Sequence, residues 1–107
     1  MTLNGIGYKK NEDTEVSFFE IGDYKVNRYV KTYGHNDKYV SISVIADPEK
    51  KYLPYIEYGD GYFTSGKPEF RVQTTAYGAL NLDEIEQVME GYKQAVEVVK
   101  ILTKNFC

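Results

Sequence analysis

At 107 residues, 42% apolar and 27% charged, the chain can bury one core but not two, and it is globular rather than disordered. Its formal net charge of −3 excludes the basic balance of a general DNA binder, so nucleic acid is not an expected partner, and it is too mild to copy a polyanion by charge alone. The single Cys107 excludes an internal disulfide and a cysteine-rich zinc site.

The opening MTLNGIGYKK lacks an apolar core of signal-peptide length, and no run approaches a membrane span. The expectation is a single cytoplasmic domain, residues 1–107, with no membrane partner. Tyr is abundant, at eleven residues against no Trp, and suits both half-buried strands and binding surfaces.

In chain order, Asn11-Glu12-Asp13 reads as a turn and Thr14 to Ile21 as a strand. Gly22-Asp23 is a tight hairpin signal, with Gly suited to the positive φ of a type II′ turn. Tyr24 to Tyr33 is the returning strand, and Gly34 to Asp37 turns the chain again. "YVSISVIA", residues 39–46, alternates as a half-buried strand should. Asp47 to Lys51 ends it. Tyr52 to Tyr58 reads either as a short edge strand, since Pro54 cannot serve a central ladder, or as a loop. Residues 59–68 are rich in turn formers. Glu69 to Tyr77 is a strand with Phe70, Val72, Thr74 and Ala76 on one face.

The last quarter is a helix. Asn81 is a good N-cap, Glu84 completes a capping box, and Leu80 with Ile85 fits a hydrophobic staple. Asp83, Glu84 and Glu86 suit the positive end of its dipole, and Lys100 and Lys104 the negative end. Ile85, Val88, Met89, Tyr92, Val96, Val99 and Leu102 recur at helical spacing and are expected to cover the sheet. The fold expected is α+β: a meander-like antiparallel sheet of four or five strands, with one long C-terminal helix packed on one face.

Signals for chemistry are weak. "GYFTSGK", residues 61–67, begins like a phosphate-binding loop, but Pro68 replaces the magnesium-holding Ser or Thr and a strand-like run replaces the helix. His35 is the only histidine and lies in a turn, so it anchors no ordinary metal site. The acidic groups Glu12, Asp13, Glu15 and Glu57, Asp60 lack the ligand pattern of a calcium loop. Ser17, Ser41, Ser43 and Ser65 have no histidine partner in view, and Cys107 has no activating neighbour. The chain reads as a non-enzyme without cofactor or metal, with carboxylates paired by folding left open.

Two surfaces are candidates. Alternation sends Lys25, Asn27, Tyr29, Lys31, Tyr33, Tyr39, Ser41, Ser43, Arg71, Gln73, Thr75 and Tyr77 to the sheet face away from the helix, three cations and four tyrosines without a carboxylate. The binding residues taken from it are Lys25, Tyr29, Lys31, Tyr33, Tyr39, Arg71 and Tyr77, for an anionic ligand or an acidic partner. The bland alternative is an ordinary exposed sheet of Tyr, Thr and Lys cross-strand pairs. On the helix, Gln87, Gly91, Gln94, Val98 and Ile101 follow heptad spacing. They read as a seam for a homodimer or a partner helix, or as packing against a loop of the same chain.

"VQTTAYGALNLDEIEQVMEGYKQAVEVVKIL", residues 72–102, resembles small proteins carried by phages and prophages of low-GC Gram-positive bacteria, in which a "TT-x-YGAL"-like join leads into an acidic-started helix. The resemblance covers about a third of the chain and its residues are structural. It implies a mobile-element origin, a bacterial host cytoplasm, and stoichiometric binding to a host or defence protein, as in inhibitors of CRISPR nucleases. Some such proteins sequester nucleotide signals, so a nucleotide-like small molecule is the alternative ligand. No catalytic residue is carried over.

Overall fold

A computed structural model describes residues 1–34, 37–60 and 66–107. Four strands form an antiparallel meander: β1 (Asn4–Asn11), β2 (Thr14–Ile21), β3 (Tyr24–Tyr33) and β4 (Asp37–Ala46). A second, two-stranded sheet pairs β5 (Tyr55–Gly59) with β6 (Glu69–Gln73), and α1 (Leu82–Phe106) closes the chain. The α+β expectation of a sheet with one long C-terminal helix on one face holds. His35 and the Gly61 to Ser65 part of the phosphate-loop-like stretch lie outside the described residues.

Turn chemistry sets the register of the meander. Gly22 adopts φ 56°, a conformation glycine takes without a Cβ clash, so Ile21 pairs directly with Tyr24 across a two-residue loop. From there Phe19 meets Val26 and Phe18 meets Asn27, which fixes the face of every β2 side chain.

β1 was not expected. All eight of its residues are exposed, because an edge strand beyond the core buries neither face and carries no apolar alternation to read. A bulge between Gly5 and Gly7 bends it, and Phe18 lies against Gly7. The Asn11 to Thr14 turn is present as a two-residue loop. β5 starts immediately after Pro54, which resolves the strand-or-loop alternative for residues 55–59.

β6 stops at Gln73 rather than Tyr77. The Thr75 N–H donates to the Tyr92 hydroxyl at 3.1 Å instead of to a strand, and Thr74 and Ala76 are exposed rather than inward.

The helix begins as its capping signals require. The Glu84 N–H donates to Asn81 Oδ1 at 2.8 Å, and the Asn81 N–H donates to Glu84 Oε1 at 3.2 Å. Its buried residues are Gly91, Ala95, Val98 and Leu102. Ala95, Val98 and Leu102 pack with Ile21, Tyr24, Val26, Ile42, Ile56 and Phe70 from both sheets. This corrects the expected core face. Of that set only Leu102 is fully buried; Ile85, Met89 and Val96 are 44%, 65% and 45% exposed. Gly91, Ala95 and Val98 each lie one residue before an expected position, Tyr92, Val96 and Val99, so the buried stripe turns back by about 100° around the axis there and keeps only Leu102. The reason is Gly91, on which the Tyr52 carbonyl sits directly, so the helix backbone approaches the chain at that side.

Candidate binding face

Strand alternation divides β3 cleanly. Tyr24, Val26 and Val30 turn into the core, while Lys25, Tyr29, Lys31 and Tyr33 turn to the other face. Directly paired residues share a face, so β4 adds Tyr39 opposite Lys31, Ser41 opposite Tyr29, Ser43 opposite Asn27 and Ile45 opposite Lys25. Five predicted residues therefore come together: Lys25, Tyr29, Lys31, Tyr33 and Tyr39.

The sheet also brings residues the sequence reading did not assign. β2 places Val16 opposite Tyr29 and Phe18 opposite Asn27, and β1 places Lys9 opposite Val16. The Lys9 ammonium lies 6.0 Å from the centre of the Phe18 ring, and that of Lys31 lies 5.0 Å from the centre of Tyr33. The β2 residues were readable: a two-residue turn at Gly22-Asp23 fixes which of the adjacent Phe18 and Phe19 points outward. Phe19 goes to the core, edge-on to Phe106 at 5.4 Å. Lys9 had no such signal, because β1 shows no alternation.

Two predicted members do not belong. Arg71 sits on β6, in the other sheet, and both Nε and Nη2 contact Glu69 Oε1, at 2.7 and 2.6 Å. Its charge is already matched. Tyr77 lies beyond the end of β6 and packs edge-on against Tyr52 at 5.4 Å. The face is not free of carboxylates either, since Glu20 pairs with Lys25 and Asp37 with Tyr33.

The helix seam is also corrected. Gly91 and Val98 are buried in their own chain, and Ile101 packs on the core. Gln94 bonds to Asp23, and Gln87 is exposed with its amide on Asp83 at 2.9 Å. Glycine and glutamine look like surface on a helical wheel, yet here they admit a close loop and clamp a turn.

A groove of about 620 Å³ lies between the helix and residues 50–53. Asp23, Asp83, Glu86, Glu90 and Glu97 line it against Lys50, Lys51 and Lys93, so its lining is mixed with an excess of carboxylates. The hydroxyl of Tyr52, one of the lining residues, donates to Glu84 Oε2 at 2.8 Å. This bond, ahead of burial, raises the Tyr52 pKa above its ordinary value of 10.0. Among the described residues, no group of three His, Cys, Asp or Glu side chains is placed to hold a metal, and no helix is long and apolar enough to cross a membrane. Comparison with protein-family models, with curated proteins and with solved structures finds no match.

Proposed function

We propose that the chain is a non-enzymatic interaction protein that binds a protein partner stoichiometrically through the open face of the four-stranded sheet. The observation that carries this reading is the cluster of Tyr29, Lys31, Tyr33 and Tyr39 on paired positions, widened by Val16 and Phe18. Aromatic rings with few rotamers beside cations are what a contact surface needs, and the cations suit an acidic partner. The resemblance of residues 72–102 to phage-carried proteins directs the search to a host or defence protein of a Gram-positive bacterium.

The test is affinity capture from such a bacterium with the native chain and with Tyr29→Ser/Lys31→Glu/Tyr39→Ser. A single protein held at an equimolar ratio by the native chain and lost by the variant is the expected result. The same protein held equally by both sinks the reading.

One observation favours a second reading. Lys9, Lys25 and Lys31 form no ion pair among the described residues. Ammonium groups without an ion pair, with Lys31 beside Tyr33 and Tyr39, suit a nucleotide-like anion. Native mass spectrometry after gentle purification decides: added small-molecule mass that the same variant loses supports this reading, and bare chain removes it.

A further inference from the structure

The helix is apolar over about half its circumference, more than one packing face requires. One half of that arc is the buried stripe. The other half is largely exposed, although the Tyr92 hydroxyl accepts from the Thr75 N–H and Val99 packs on the edge of the core. Leu82, Met89 and Val96 recur every seven residues and are 75%, 65% and 45% exposed. Ile85, Tyr92 and Val99 interleave with them at the same period; Ile85 is 44% exposed and the other two are half-buried. Two interleaved heptad series over a 25-residue helix are the pattern of a coiled-coil seam, on a different face from the one expected.

The flanks of the seam decide what can cover it. One flank is Val88, Ala95 and Leu102; Ala95 and Leu102 are turned fully into the chain's own core, so no second helix reaches them. The other flank is Glu86, Lys93 and Lys100, again seven apart and all exposed. In a parallel pair, the open flank of one helix meets the blocked flank of the other. In an antiparallel pair, open flank meets open flank.

The charges agree. The open flank is acidic at its start and basic at its end, so antiparallel pairing sets Glu86 against Lys100 of the second copy, twice over. Lys93 falls on the axis beside its own copy, with Glu90 and Glu97 within one turn on the same helix to offset that repulsion. The Lys100 to Glu97 contact within one chain is 3.8 Å long and exposed, weak enough to exchange. Antiparallel alignment also opposes the two helix dipoles.

We propose that this chain forms a two-fold homodimer through antiparallel pairing of α1, with Leu82, Ile85, Met89, Tyr92, Val96 and Val99 at the seam. The sheet face proposed for binding stays free on each copy.

Sedimentation equilibrium of the full chain over a range of concentrations tests it. A dimer is expected. Met89→Glu/Val96→Glu gives a monomer with an unchanged circular-dichroism melt, since both positions are exposed. Glu86→Lys raises the dissociation constant several-fold, and adding Lys100→Glu restores it. In Leu82→Cys, position 82 and Cys107 lie at opposite ends of a helix about 37 Å long and cannot join within one chain. Oxidation joins 82 of one copy to 107 of the other. A monomer at every concentration, a dimer that survives Met89→Glu/Val96→Glu, or preferential joining of 107 to 107 overturns the proposal.

Discussion

Gln94 holds Asp23 by two bonds, although 71 positions separate them in the chain. The Asp23 N–H donates to Gln94 Oε1 at 2.8 Å, and Gln94 Nε2 donates to Asp23 Oδ2 at 2.9 Å. The middle of the helix is thereby tied to the hairpin turn that sets the register of β2 and β3. Gln94→Leu keeps the volume but strips both partners from a part-buried turn. The expected cost is about 1–3 kcal/mol, the penalty for leaving such groups unpaired. Gln94→Glu should cost more at neutral pH, because it removes the amide that donates to Asp23 and sets a second carboxylate against it. Urea unfolding of the three proteins at pH 7 checks the order, and equal midpoints for all three would refute the clamp.

Gly91 gives a prediction in which two effects oppose. Alanine is favoured over glycine in a helix interior by about 1 kcal/mol. At this position, however, a Cβ would run into the Tyr52 carbonyl, a backbone atom that cannot swing aside, and come within 3.5 Å of Pro54 Cδ. Overpacking of this kind costs about 1–3 kcal/mol. Gly91→Ala should therefore be destabilised despite its better propensity, measured as a lower thermal midpoint. A stabilised Gly91→Ala would mean that the helix does not press on residues 52–54.

The same two residues show where the sequence was legible and where it was not. Local rules with a strict geometric consequence worked. Gly22-Asp23 gave a two-residue hairpin, Asn81 with Glu84 gave the helix start, and alternation put Lys25, Tyr29, Lys31, Tyr33 and Tyr39 on one face. What failed depended on tertiary contact. A helical wheel ranks Met89 and Val96 above Gly91 and Gln94 for burial, and the Tyr52 carbonyl and Asp23 reverse that order. Arg71 and Tyr77 were placed on the binding face by carrying alternation from one sheet into another, where no backbone register links them. β1 was missed because an edge strand with both faces in water has no periodicity to detect.

Tyr24 predicts alkaline behaviour. Its ring is 1% exposed and its hydroxyl donates to the Pro54 carbonyl at 2.6 Å. Burial, with a smaller contribution from the Asp23 charge, raises its pKa from 10.0 to about 12. The folded state thus holds a proton that the unfolded chain releases near pH 10. The stability from this group is complete below pH 10 and is lost as pH rises through about 12. Tyr24→Phe should lose about 1–2 kcal/mol at pH 7, since the Pro54 carbonyl is left unpaired. It should also fall less steeply between pH 9 and 11. Tyr52 and Tyr58 are raised as well, so the slope shrinks without vanishing. An unchanged alkaline slope in the variant would show that Tyr24 is not the group that titrates.

Glu84 predicts the acid limb, with the opposite sign. It accepts from the Tyr52 hydroxyl and the Asn81 N–H, so both oxygens carry a bond at the helix start. The Asn81 backbone bond first, then the Tyr52 hydroxyl, lower its pKa below the ordinary value of 4.5. A depressed carboxyl stabilises the fold above its unfolded value, and that contribution disappears as pH falls through the folded one. Glutamine at this position keeps the capping-box acceptor without a titrating proton. Glu84→Gln should therefore be somewhat less stable than the native chain at pH 6 and should lose less stability on going to pH 3. Tyr52→Phe removes one of the two bonds and should flatten the same limb by a smaller amount. Urea midpoints measured from pH 6 to pH 3 separate these outcomes: parallel curves for the native chain and Glu84→Gln would place the acid sensitivity elsewhere, and a Tyr52→Phe curve flatter than that of Glu84→Gln would show that Tyr52 acts through some group other than Glu84.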